Sequence, residues 1–444
     1  MHRQKGFTAV SLRRYKMLCS APSGVVLEGD TCGGGISATL MATRSGLSPT
    51  HDAPYRGLRV LDFGQGIASP YCAMLLAVYG ADVIKIEPPE GDWSRFLGTT
   101  YGSHTTLSAV YNRGKRSLCL DLKHKDGLAV AKRLARNCDI LIEGFRPGVA
   151  GRLGLGYEEL SRDNPRLIYL SVSGFGQSGP YSKRPGSDSV AQAFSGLVSI
   201  NPGNDGTPHR VGTPISDVVT GVYAFQAIAT TLFARSSTGT GRWIDVNLAQ
   251  STAALLGHKV AEYMLEGGAP RPLNVPAGTY RTSDGWMMVT LVNELQYKRL
   301  CAVIDRDDLA SDPRFGDFAR RADAADALIP QLREIFGKHP TEAWLNRLHA
   351  ADIIAERILN PGEWLRNAHV EATKAAVCQD IPGVGRVYSP RTPGIASLSE
   401  DYLRPAPDIG QDSYEVLLEA GLGRDAIDDF VKAGVVRETK GGEA

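Results

Sequence analysis

The chain has 444 residues, with 49 Lys and Arg against 48 Asp and Glu, and 43% of it is apolar. That length holds two or three domains, or one large α/β domain with an insertion, and it buries enough core to fold without disulfides or metal. The even charge excludes the basic footprint of a dedicated nucleic-acid binder, and no uninterrupted apolar run approaches the about 18 residues of a membrane span.

Residues 1–27 carry Arg3, Lys5, Arg13, Arg14 and Lys16 and no acidic residue. Residues 1–56 therefore read as an extension, disordered or mis-started, with a mitochondrial transit peptide as the alternative. The seven cysteines are widely spaced, and no two form a C-x-x-C pair. This argues against a disulfide framework or structural zinc and favours a reducing, cytoplasmic setting.

Order is expected to begin near Leu58. Leu58–Phe63 reads as a buried strand, Gly64-Gln65-Gly66 as a turn, and Ser69-Pro70 as the N-cap and first position of a helix ending at Gly80. Asp82–Glu87 is the next strand, completing a βαβ unit. Strands at 116–121, 140–143 and 167–172 alternate with helices at 126–136 and from Tyr157. Residues 57–250 thus form a Rossmann-like, doubly wound α/β domain with a parallel sheet. Ser251–Leu265 reads as one long amphipathic helix. Strands around Ser283-Asp284-Gly285 make a hairpin, and helices then dominate, so 251–375 reads as a linker helix and a smaller α+β domain. Residues 376–444 return to complete the large domain.

Three motifs carry candidate chemistry. Gly64-x-Gly66 with Glu87 downstream is a partial dinucleotide fingerprint, but Ser69 stands at the third glycine position. Arg113, Lys115, Arg116, Lys123, Lys125, Arg146 and Arg152 flank strand ends, as suits a polyphosphate tail or simply a solvated face. In Gly212-Thr-Pro-Ile-Ser-Asp217-Val-Val-Thr-Gly221, Ser216 or Asp217 falls at a helix start. This is either a cap or a carboxylate held ionised by the helix dipole as a nucleophile. No G-x-S-x-G elbow is present, and the nine histidines show no ligand spacing, so no metal is expected.

Taken in order, several blocks resemble the family III CoA-transferases (CaiB/BaiF). They are Leu58–Glu87 with Gly91-Asp92, Asn112-x-x-Lys115-Arg116-Ser117, Glu143-x-Phe145-Arg-Pro-Gly148, Leu153-Gly154 and Gly174-Phe-Gly-Gln-x-Gly-Pro180. Ala191-Gln-Ala-x-Ser-Gly196, the Gly212–Gly221 block and Thr238-Gly-x-Gly-x-x-x-Asp245 complete the set. The resemblance implies an interlocked homodimer. It also implies CoA transfer from an acyl-CoA donor to a carboxylic acid, with a small dicarboxylic acid as the family-based acceptor. Asp217 would be the nucleophile, passing through an aspartyl anhydride and an aspartyl-CoA thioester. CoA contacts would fall on Gln65, Gly66, Ile67, Ala68, Leu120, Lys123, Gly144, Phe145 and Arg152. CoA would be a substrate, with no permanently bound cofactor and neither nucleic acid nor membrane as partner. Arg281, Arg210 or Lys259 would meet a distal carboxylate.

The chain also departs from the family pattern. Ala68-Ser69-Pro70 stands for Ala-Gly-Pro, and Glu143-Gly144-Phe145 for Glu-Asn-Phe. Gly186-Ser187-Asp188 stands for Gly-Tyr-Asp, and Ile353–Glu356 replaces a Gly-x-Pro segment. The competing readings are an acyl-CoA racemase of the same superfamily, a non-catalytic CoA-ester binder and an NAD-dependent oxidoreductase. The racemases place His where Ser187 stands, and Ser is no proton shuttle near neutral pH.

Overall fold

A computed structural model describes residues 53–203, 205–268, 272–395 and 403–439. Residues 1–52 of the expected extension lie outside the described residues. Six strands run parallel: β1 (Arg59–Asp62), β2 (Asp82–Glu87), β3 (Arg116–Leu120), β4 (Ile140–Glu143), β5 (Ile168–Ser173) and β6 (Trp243–Asn247). They lie in the order β3-β2-β1-β4-β5-β6, and the short strand Val436–Arg437 adds antiparallel to β3.

The strands are near-continuous apolar runs because both faces of the sheet are covered. The helices are α1 (Ala68–Val78), α2 (Lys125–Arg136), α3 (Asp188–Phe194), α4 (Ile215–Thr238), α5 (Leu248–Ala254), α6 (Gly257–Leu265), α7 (Ser413–Glu419) and α8 (Arg424–Lys432). Val60, Val83, Ile142 and Leu170 pack with Cys72 and Leu76 of α1 and Ala224 and Ile228 of α4. Their neighbours Leu61, Ile84, Leu118 and Leu141 pack on the other face with Val130 and Leu134 of α2, Leu417 of α7 and Ile427 of α8. A second region holds an antiparallel sheet of β7 (Gly278–Arg281), β8 (Trp286–Thr290) and β9 (Ile354–Arg357). It packs its own core around Tyr280, Met287, Phe336 and Trp344.

Several expectations change. Packing begins before Leu58, since the Tyr55 ring lies 6.0 Å from Tyr79 and 6.1 Å from Phe225. Helix α1 begins at Ala68 with no side-chain cap, so Ser69 and Pro70 are its second and third residues. The helix expected over 251–265 is two, parted at Leu255-Leu256. Helix α4 is long and apolar enough to cross a membrane by length and composition. Here Gly221, Ala224 and Ile228 bury one of its stripes against α1 and the sheet, while Phe233 is 80% exposed.

Candidate active site

In the observed strand order, the crossovers leave β1 and β4 in opposite directions. A crevice therefore opens beyond their carboxyl ends, where open parallel sheets receive ligands. The turn Gly64-Gln65-Gly66 enters this crevice, and buried charges hold it from beneath. The Gly64 N–H donates to Asp62 Oδ1 (2.9 Å), Lys85 Nζ donates to the Gly64 carbonyl (2.7 Å), and the Gly66 N–H donates to Asp92 Oδ1 (3.0 Å). Lys85 pairs with Asp92 and Lys115 with Asp62, both at 2.8 Å, and Arg95 grips Glu87 through two bonds of 2.7 Å. Each carboxylate thus has its own cation, the condition under which buried charge is tolerable. Burial would raise the Glu87 carboxyl, but the Arg95 guanidinium and then Lys85 bring it down to about 2. Gly66 has φ +82, and a Cβ there would lie 2.2 Å from the Trp93 ring, so only glycine fits.

This network removes three cations from the expected phosphate-facing set. Lys115 lies in it. Arg116 bonds Asp82 (2.7 Å) and Glu419 (2.9 Å), and Arg113 bonds Ser389 Oγ (2.9 Å). Sequence spacing could not reveal this, because Lys115 and Asp62 stand 53 residues apart.

A cavity of about 350 Å³ opens over the ends of β1, β2 and β3 and brings together Gln65, Leu120, Lys123 and Phe145, walled also by Phe63 and Leu153. The Lys123 side chain is exposed at its lip. Gly144 adjoins the turn, since a Cβ there would be 3.9 Å from the Gln65 nitrogen. Gly66, Ile67 and Ala68 are buried and carry the chain from the turn into α1. Arg152 is exposed on the short helix Val149–Leu153, outside the cavity wall.

Asp217 stands in the first turn of α4. One turn later, a Cβ on Gly221 would lie 2.8 Å from the Tyr71 ring and 2.9 Å from the Ala68 carbonyl oxygen. The bare glycine therefore lets the start of α4 close onto the start of α1, one turn beyond Asp217. Pro214 offers α4 no cap. Asp188 caps it instead, its Oδ2 accepting from Ser216 N (2.7 Å) and Asp217 N (3.2 Å) while Gln192 Nε2 bonds its Oδ1 (2.6 Å). Asp217 has no ion pair among the described residues. Burial, and then the Asp188 charge, push its carboxyl up to about 7. Burial and the Asp188 charge thus oppose the ionising pull that the start of a helix supplies. The dipole contributes only about 1 kcal/mol, and desolvation beside a like charge outweighs it.

The family model described as CoA-transferase family III matches residues 55–413. The chain belongs to that family. It is 39% identical to the acetyl-CoA:oxalate CoA-transferase of Acetobacter aceti over 318 residues, covering 70% of this chain and 82% of the relative. It is 32% identical to the succinyl-CoA:glutarate CoA-transferase of Homo sapiens over 394 residues, covering 86% and 90% respectively. A solved CaiB/BaiF family protein from Brucella suis superposes with a TM-score of 0.73 at 29% identity, over 83% of this chain and 100% of that one.

This family III CoA-transferase chain holds groups near Asp217 that the motifs did not single out. Asp188 was legible only as part of a tripeptide, because its role depends on a contact with α4. Tyr111 lies 5.4 Å from Tyr71, ring to ring. Burial, then Tyr71, Asp217 and Asp188, push its hydroxyl up to about 12, so it stays protonated and able to donate. Of the distal candidates, Lys259 is paired with Glu262 at 2.7 Å, while Arg210 and Arg281 are exposed.

Proposed function

We propose that the chain moves CoA from an acyl-CoA donor to a small dicarboxylic acid, with Asp217 as the covalent nucleophile. The observation that carries this reading is an aspartate without a cation partner, raised to about 7, one turn before α4 closes onto the start of α1. Its oxygen attacks the donor thioester carbonyl, the C–S bond breaks, and CoA leaves as the thiolate. The thiolate then attacks the Asp217 carbonyl of the mixed anhydride, giving an aspartyl-CoA thioester and free donor acid. The acceptor carboxylate repeats the sequence in reverse. Acylated Asp217 is neutral, so forming either intermediate relieves both the burial penalty and the repulsion from Asp188. The first N–H groups of α1, on Ala68 and Ser69, have no acceptor within the helix and supply donors for the developing oxyanion.

CoA enters as substrate, with the cavity of Gln65, Leu120, Lys123 and Phe145 as the seat for its nucleotide end and Arg152 near its phosphates. A dicarboxylate acceptor is favoured because the named relatives act on oxalate and glutarate, and Arg210 and Arg281 are the cations left for its far end. A homodimer suits the apolar side chains left open on α4 and α6, where Phe233 is 80% and Leu265 86% exposed. The reading is tested by adding hydroxylamine during turnover with succinyl-CoA and oxalate or glutarate. Mass spectrometry should then find Asp217 modified. An unmodified Asp217 in a protein that turns over sinks the nucleophile assignment.

A further inference from the structure

Ser69 has no part in the chemistry above beyond its backbone, yet its side chain lies between the segments that follow β1 and β4. A Cβ added to Gly64 would fall 3.0 Å from Ser69 Oγ, and one added to Gly144 would fall 3.1 Å from the same atom. The hydroxyl therefore occupies the space between the carboxyl ends of β1 and β4, and the two flanking positions are kept bare around it. Ser69 is 3% exposed. Its hydroxyl has no hydrogen-bond partner among the described residues, and it is not one of the fully buried unpartnered atoms, so it keeps an opening through which a partner from outside the chain can reach it. An exposed serine at the second position of a helix would bond water. This one is packed between Gly64 and Gly144 with only a narrow opening, and the turn beside it forms the wall of the cavity through Gln65, while Gly144 precedes the cavity residue Phe145.

We infer that Ser69 is a binding residue whose hydroxyl hydrogen-bonds the pantetheine arm of CoA as it passes from the nucleotide cavity toward Asp217. The inference rests on the proposed CoA-transferase reading. Pantetheine offers amide carbonyls and N–H groups along a flexible chain, and a hydroxyl both donates and accepts. Gly144 and Ser69 form a unit. A side chain at 144 would displace the hydroxyl, so the serine supplies the polar contact that no side chain at 144 can make.

The experiment compares CoA with ADP, which lacks the pantetheine arm, as ligands in calorimetry. Ser69→Ala removes one oxygen and should weaken CoA binding about tenfold, as one lost hydrogen bond would, while ADP binds as before. In turnover the loss should appear in KM for the acyl-CoA with kcat little changed, since the bond is made in ground state and transition state alike. Gly144→Asn should weaken CoA binding in the natural background, where its Cβ meets Ser69 Oγ. In the Ser69→Ala background it should instead recover part of the loss, because the amide then fills the vacated space. CoA binding unchanged in Ser69→Ala overturns the inference, as does equal loss of ADP binding or the same Gly144→Asn effect in both backgrounds. A natural protein that binds neither ligand would defeat the CoA-transferase reading itself, a separate outcome.

Discussion

One group of carboxylates lies under the Gly64–Ala68 turn and another at the start of α4, and the protein treats them in opposite ways. Beneath the turn, Asp62, Glu87 and Asp92 are wholly buried, and each has a cation: Lys115, Arg95 and Lys85. In the second group, Asp188 and Asp217 share the start of α4, and Asp217 has no cation. The first arrangement puts Glu87 at about 2 and the second puts Asp217 at about 7, although burial pushes both upward. Burial therefore does not decide the outcome; the presence of a counter-charge does. Where charge builds the scaffold it is neutralised pair by pair, and where it is to react it is left uncompensated, as functional sites often are.

The comparison breaks first at its reactive side. Asp217→Asn keeps the shape but removes the proposed nucleophile, and transfer should fall about 10,000-fold in kcat, as when other covalent nucleophiles are removed. Steady-state rates with succinyl-CoA and oxalate measure this. A variant within tenfold of the natural rate would mean that the reaction runs through another group. The paired side should break in stability. Lys115→Met strands the Asp62 carboxylate, and removing one partner of a buried pair costs about 3–5 kcal/mol. Denaturant midpoints read that loss, and a loss below about 1 kcal/mol would show that water or a shifted Lys85 takes over the charge.

Much of the site was legible in sequence because its parts are local. The strands β1 to β5 are apolar runs, the turn is written in glycines, and Asp217 falls in the first turn of a helix that the Gly212–Gly221 block placed there. The parts that escaped depend on distant contacts or weak patterns. Strand β6 (Trp243–Asn247) lies at the sheet edge with only Ile244 fully buried, so it lacks the apolar signature of its neighbours. Lys115 reads as a surface cation until its partner arrives from β1. The Ser251–Leu265 periodicity continues across Leu255-Leu256, yet the chain breaks there, with Gly257 opening the second helix. Asp188 becomes a cap only when α4 arrives without one.

A pH series sharpens the comparison further. Asp217 must be ionised to attack, so kcat/KM should climb through about pH 7 and level off above pH 8. Stability should move the other way. The folded carboxyl holds its proton to about pH 7 while the unfolded one releases it near the usual aspartate value of 3.8, so the folded state loses relative stability between those values as pH rises. Partial exposure moderates the loss to about 2 kcal/mol from pH 5 to pH 8. It should be absent from Asp217→Asn when the two denaturation curves are subtracted. A flat difference would place the carboxyl back in the ordinary range. Glu87 contributes the opposite trend, stability present above about 4.5 and lost as pH falls through about 2, so above pH 5 only the Asp217 slope of these two remains.

The smallest expected effect tests whether lacking a cation is sufficient for reactivity. Glu143, at the end of β4, is also raised to about 7, by burial first and then by Asp245, against the bonds from Ser171 and the Phe145 N–H. The Phe145 N–H reaches its Oε2 at 2.8 Å, so this carboxyl is satisfied by hydrogen bonds, unlike that of Asp217. Glu143→Gln keeps an acceptor for Phe145 and should leave kcat/KM within about threefold. Near pH 4, where Glu143 holds its proton both folded and unfolded, the variant should match the natural protein in stability. By pH 8 it should be more stable than the natural protein by about 1 kcal/mol, because between about 4.5 and about 7 the unfolded glutamate ionises while the folded one holds its proton. A fall in transfer of about a hundredfold would place Glu143 in the chemistry, and a missing counter-charge alone would then mark a reacting group. Activity retained with the pH-dependent gain would instead require two conditions at Asp217, no cation and a position one turn before the close approach of α4 to α1 that Gly221 makes possible.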